Sequence, residues 1–437
     1  MKKSIFARTR TSLLALILAA LPTLSAPPLH AQEVDFRTAI QLALKHSGNM
    51  LAASADRSRA ASRYHAERDA YYPSIVFGAS PGYSFGVPIT VAGQVPSLYN
   101  ITHSQTVFNF ALTDVIRAAH SDSIAADIDY SDKAEQSILD TSLIYIELDN
   151  SQQRLKAAQD QRQSVEHALY IAQQRQQEGV GSVLDGKRAE LDLARVDLRI
   201  TELETSADVL RERLARLIGR PASTLVTVTA SIPAAPGMRT EEDLSSVALA
   251  NSAGVRVADE RVRAARFRAK AEHRVNYPSI DFAGQFAQFT PYINYGLTQT
   301  PTHNYSFAFN IRVPIINLSQ NARAAAADAE ALRAEADAQN LRDQVAAEAV
   351  RAQHAIHQLE AATKVSRLEY EVAQANIDAV QLQVQNGHAN SRDQEMARAD
   401  IANRQVILLQ TQFDYLRARL QLMRQTGELH GWALGAN

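Results

Sequence analysis

The chain has no cysteine among its 437 residues. Disulfides and an N-terminal lipidated cysteine are both excluded, so stability has to come from packing and assembly. No segment beyond the N-terminal region comes near 18 uninterrupted apolar residues, which excludes a helix that spans a membrane. Lys and Arg (45) nearly balance Asp and Glu (47), leaving a formal net charge of −2 and no electrostatic case for nucleic acid. Proline is absent from 112–178 and from 318–386. There is no cysteine nucleophile and no HExxH, so neither a catalytic constellation nor a metal or cofactor site is expected. Gly181–Lys187 fits seven positions of a P-loop, but the eighth is Arg188 where Ser or Thr should hold magnesium. His354 and His357 stand three apart with no third ligand nearby and read as ordinary rod residues.

What the chain does contain, it contains twice. Residues 66–77 read AERDAYYPSIVF and residues 271–282 read AEHRVNYPSIDF, an offset of 205. A second anchor pairs Leu210-Arg211-x-Arg213-Leu214 with Leu416-Arg417-x-Arg419-Leu420. Self-similarity at so long a period implies two structural halves. The expected division is 32–232 and 241–437, joined by a Pro- and small-residue linker at 233–240. Ahead of them, Lys2, Lys3, Arg8 and Arg10 precede the apolar run Leu13–Leu21 and a small-residue site at Ala31, so 1–31 reads as a secretory signal peptide.

Seventeen of the 28 aromatic residues fall in two windows, 71–110 and 277–309. There the pattern turns to period two: Ile75, Phe77, Tyr83 and Phe85, or Tyr305, Phe307, Phe309 and Ile311, alternate with small or polar residues. Strands are expected at about 74–86, 101–110, 279–289 and 304–314. One bulky and one polar face suit a strand between lipid and water, although a soluble hairpin on a core would alternate in the same way. No neighbouring segment claims the bulky face, which favours lipid. Four strands cannot close a barrel, and an open edge is forbidden in lipid, so insertion demands that several copies pool their strands.

Between the strands the chain is rich in Ala, Gln, Glu, Arg and Leu. Its proline-free stretches predict rods on the order of 100 Å at about 1.5 Å per residue. Each ends at a glycine, Gly179 or Gly387, with a short break (tips at 179–184 and 387–392) and a returning helix, Asp185–Ile218 or Asp393–Gln425.

Helix, YPSI strand, hairpin, long helix, glycine tip and return helix, all duplicated, resemble the outer membrane efflux protein family, the TolC-like channels. The most specific stretch is 179–195, GVGSVLDGKRAELDLAR, with Tyr145 and Arg213-Leu214 also in the family's places. The resemblance implies a mainly α fold with a small β part and a homotrimer. Its 12-stranded outer-membrane β-barrel would continue into a long periplasmic α-helical barrel. It implies no enzyme, but a passive exit duct of a tripartite efflux or type I secretion system in the outer membrane. The partners would be a periplasmic adaptor and an inner-membrane transporter. Gly179, Val180, Gly181, Ser182, Gly387, His388 and Ala389 become adaptor-contacting tip residues. Asp393, Asp185 and Glu395 become candidates for the periplasmic gate, with Met396 where the family has its second acid. The competing class is a soluble periplasmic coiled-coil adaptor, which would share the rods but not the lipid-facing strands.

Overall fold

The computed structural model describes residues 32–79, 97–222, 225–234, 244–289 and 303–435. The expected signal peptide, the far part of the first expected strand and most of the expected linker lie outside the described residues. Each half repeats one order of elements. In the first, α1 (Phe36–His46) and α2 (Gly48–Asp69) lead to β2 (Ser74–Gly78), β3 (Ser97–Asn109), α3 (Phe110–Gln177) and α4 (Val183–Ile218). In the second, α5 (Leu244–Asn251) and α6 (Ala253–Arg274) lead to β5 (Ser279–Phe289), β6 (His303–Arg312), α7 (Leu318–Gln385) and α8 (Ser391–Thr426). A short α9 (Leu429–Leu434) follows, and β1 (Gln32–Val34) pairs in parallel with β4 (Leu225–Thr227).

The two rods have the same length, 68 residues each, and the two return helices have 36 each. Local chemistry fixes their ends. Asn109 and Asn317 cap the rods by accepting from the backbone N–H three residues on. Gly219 and Gly427 close the return helices at φ 68° and 78°, a left-handed conformation that suits glycine. The duplicated helix positions lie 205 apart before the strands and 208 apart after them. Counted from the tip glycines, Leu210–Leu214 and Leu416–Leu420 therefore stand two residues out of register, so that motif does not mark equivalent helix positions.

The helices form one layer. Toward the sheet its order is α2, α3, α6, α7, and toward the tips α4, α3, α8, α7, with α3 joining the halves by packing on α6 and α8. Small residues on a seven-residue rhythm, Ala324, Ala331 and Ala338 on α7 or Ala111, Ala118 and Ala125 on α3, are buried along the contacts. This replaces a broad apolar face by a narrow seam and lets rods approach closely.

The main core sits at mid-height. Ile138, Tyr145 and Leu148 of α3 meet Phe36 and Ile40 of α1, Leu210 and Leu214 of α4, Leu420 of α8 and Leu429 of α9. Tyr145, fully buried, donates its hydroxyl to Val34 O (2.7 Å) and accepts from Val228 N (2.8 Å), tying β1 and the segment after β4 to the rod. Burial raises the Tyr145 phenol above its ordinary pKa against the opposing bonds from Ser231 and Val228. The equivalent position on α7 is Gln353, and its neighbourhood holds only a small cluster of Leu244, Ile356 and Leu422.

The four strands form one antiparallel sheet ordered β2-β3-β5-β6, so β3 and β5 join the halves at its centre. The second strand begins at Ser97 rather than 101 and ends at Asn109, and Phe110 already belongs to α3. Register shifts between Ser97 and Tyr99 and between Thr106 and Phe108 break its alternation, which is why period two reads so weakly there.

Candidate functional site

Both tips have the same backbone. Gly179 (φ 77°) donates to Gln176 O at 3.1 Å and Val180 to Arg175 O at 3.0 Å. Gly387 (φ 74°) donates to Val384 O at 3.1 Å and His388 to Gln383 O at 2.8 Å. These paired bonds are a Schellman cap, which satisfies carbonyls a rod's end leaves open. A Cβ on Gly181 would lie 2.7 Å from Gln176 N and 2.9 Å from Arg175 C, so that turn admits glycine only. The second tip carries Ala389 there, and its bond to Gln383 O is 3.2 Å where Gly181 reaches Arg175 O at 2.8 Å.

The acids six residues beyond each glycine take different roles. In the second tip, Asn390 Oδ1 accepts from Asp393 N and Asp393 Oδ2 accepts from Asn390 N, both at 3.0 Å, a reciprocal capping box. Asp393 remains exposed. In the first tip Ser182 caps by accepting from Leu184 N at 3.2 Å, which leaves the Asp185 carboxylate free. It pairs across to Arg392 at 3.1 Å and so joins the starts of α4 and α8. Glu395 turns away from Asp393, into the seam between α8 and α3. It is 5% exposed and meets His167 Nδ1 at 3.2 Å and Arg398 at 2.9 Å. Val180, Val183 and Leu184 are exposed on the first tip, where the second exposes His388.

Sequence reasoning missed Arg392, and local pattern offers no signal for it because its partner is 207 positions away. The P-loop-like segment forms the tip turn and the first turn of α4, with Lys187 paired to Glu190. His354 and His357 are exposed on α7. Among the described residues no group of three potential ligands could hold a metal, and no helix is long and apolar enough to cross a membrane.

At the other end of the rods the sheet has two unlike faces. Ile75, Phe77, Ile101, His103, Phe282, Phe286, Tyr305, Phe307, Phe309 and Ile311 share one face by register. Most of these are exposed in the single chain, Phe307 to 73%. Gly284 leaves a hollow in that face, which the ring of Phe307 and the side chain of His103 cover. The other face carries Asn100, Thr102, Ser104, Gln285, Asn304, Ser306 and Asn310. Among the described residues both edge strands, β2 and β6, have an unpaired side. The outer helices of the layer also carry uncovered apolar stripes, Leu184, Leu191 and Leu198 on α4 and Val365, Leu368, Val372 and Leu382 on α7.

Solved structures share this architecture. The outer-membrane channel OprN aligns at 18% identity over 91% of this chain and 90% of its own, with a TM-score of 0.73. The outer membrane protein VceC from Vibrio cholerae aligns at 17% identity over 92% and 96%, with a TM-score of 0.71. The Neisseria gonorrhoeae MtrE outer membrane channel, in its open state, aligns at 18% over 93% and 94%, with a TM-score of 0.69. No curated protein matches the sequence. At these identities the structures establish the fold alone. The sequence itself matches the family described as outer membrane efflux protein over residues 39–220 and 244–428, most of both halves. The chain belongs to the outer membrane efflux protein family, a channel of the outer membrane and not an enzyme.

Proposed function

We propose that three copies of the chain assemble into a passive exit duct, each giving its four strands to one 12-stranded barrel and its helices to one periplasmic tube. The observation that carries this reading is the open sheet: an aromatic face and two unpaired edges are tolerated in lipid only when β6 of one copy pairs with β2 of the next. The same ring of copies brings the α7 stripe of one against the α4 stripe of its neighbour. The halves 32–232 and 241–437, joined at 233–240, are then quasi-equivalent staves of the tube.

In this reading the tip residues Gly179–Ser182 and Gly387–Ala389 receive a periplasmic adaptor that links the duct to an inner-membrane transporter of an efflux or type I secretion complex. Three Asp393 carboxylates line the closed entrance, while Asp185 and Arg392 hold the two hairpins of each copy together. Glu395 supports α8 from behind, through His167, without facing the entrance. Cargo passes without chemistry, since the tube supplies a path and no reaction.

Extraction from outer membranes tests the assembly. A detergent-dependent trimer that forms conducting pores in planar bilayers is expected; a water-soluble species without detergent sinks the duct and revives the adaptor. For the gate, Asp393→Asn should weaken cation preference and divalent block in single-channel recordings. If both persist unchanged, Asp393 is removed from the entrance and left with its capping box alone.

A further inference from the structure

Between Asp69 and Asp114 the chain carries no Asp, Glu, Lys or Arg, and between Arg274 and Arg312 it carries Asp281 alone. The four described strands of the antiparallel sheet accordingly hold two charged residues, Asp281 and Arg312. Register puts both on the polar face, since Asp281 pairs with Asn310 and Arg312 with Ser279. Both sit at the end of the sheet that joins the helices: Asp281 is the third residue of β5 and Arg312 the last of β6. Two residues of strand separate their levels, about 7 Å. Thr106 Oγ1 donates to Asp281 Oδ1 at 3.1 Å and fixes that carboxylate on the wall. Arg312 is exposed and has no carboxylate partner among the described residues. Further along the described strands that face carries amides, hydroxyls, alanine, Val76 and Gly78, and no charge.

We propose that Asp281 and Arg312 form the charge filter of the barrel, the one level at which its membrane section distinguishes permeants by charge. The proposal rests on the trimeric duct reading, which turns the polar face inward. In the closed ring the next copy brings β2 beside β6, and its polar-face residues Ser74, Val76 and Gly78 add no charge. Three carboxylates and three guanidiniums then share the helical mouth of the barrel. Rings of fixed charge lining a pore set its ion preference, and their influence fades within a Debye length of ~8–10 Å at ordinary salt. Beyond that mouth the wall is neutral, so the membrane section suits uncharged polar or amphipathic solutes and offers charged ones no favourable surface.

The test is the reversal potential of single channels under a potassium chloride gradient, recorded in an Asp393→Asn background so that the tip carboxylate does not mask the barrel. Arg312→Gln should shift it toward cation preference and Asp281→Asn toward anion preference, each readable without the other. Arg312→Lys, which keeps the charge, should leave it in place, and so should Ser306→Ala on the neutral wall. Conducting channels whose reversal potential moves with neither charge-removing replacement overturn the filter and leave the duct standing. Failure of the unsubstituted protein to form any channel overturns the duct reading and the filter with it.

Discussion

The two halves of the chain share rod length, tip backbone and strand pairing, yet the same positions are put to different uses. In the first half the acid of the tip reaches across to Arg392; in the second the equivalent acid is held by its own helix start. The switch lies in the capping residue. Asn390 and Asp393 satisfy each other reciprocally, whereas Ser182 caps alone and leaves Asp185 available. Likewise Tyr145 anchors a buried knot at mid-rod, while Gln353 stands at that level of the second rod with little core around it. Duplication preserved the backbone and let the side chains divide the labour between a fixed half and a lighter one.

Removing a hairpin should break the likeness where it is strongest. Deleting Ile75–Phe110 or Ile280–Val313 is expected to abolish membrane insertion to the same extent, because either loss opens the pooled sheet. Recovery of a heat-resistant trimer from outer membranes after either deletion would overturn the shared role of the two hairpins.

The next largest effect separates the halves. Tyr145→Phe strips the hydroxyl from Val34 O and Val228 N and should cost about 1–3 kcal/mol, whereas Gln353→Leu should change stability far less; denaturant midpoints compare them. Because burial raises the Tyr145 pKa, the folded state favours the neutral phenol. Its contribution is therefore whole below the unfolded value of ~10 and is lost as pH rises through the folded one. Unfolding curves of Tyr145→Phe should lack that alkaline loss, and an identical alkaline profile would deny the phenol any part in it.

Capping gives a smaller contrast. Asn390→Ala breaks a reciprocal pair and Ser182→Ala a single bond, so the former should destabilise its tip by ~1 kcal/mol and the latter by less. Hydrogen exchange at the first turns of α8 and α4 reads each tip separately, and equal protection losses would mean the capping box adds nothing.

The smallest energetic change is expected from Arg392→Gln. The pair with Asp185 is about a third exposed on each side, so its loss is worth at most ~1 kcal/mol. Conductance should nevertheless rise, because the pair joins the two hairpins of a copy. Unchanged conductance would reduce the contact to a surface ion pair.

The rods, tips and sheet faces were legible because their signals are local. Absent proline, a glycine with positive φ and period-two aromatics each act over a few residues. The resemblance makes Glu395 a gate candidate beside Asp393, but two residues along a helix turn a side chain about 200°, and only the packing of α3 decides where it points. The bulges of β3 hid its limits for a related reason, since an extra residue reverses the faces on which alternation depends. Tyr145 stands out in the sequence, but its partners are 111 and 83 positions away, and no pattern of short range names them.

Equal rods stiff along their whole length have one mechanical consequence. Neither contains a proline at which it could kink, and the knot around Tyr145 grips α3 near its midpoint. The lower arm is thus a lever of ~50 Å. A tilt of about 5° at the knot carries a tip through roughly 4 Å on an arm of that length. A modest repacking at mid-height is magnified into a change of aperture at the far end, without any helix bending on the way.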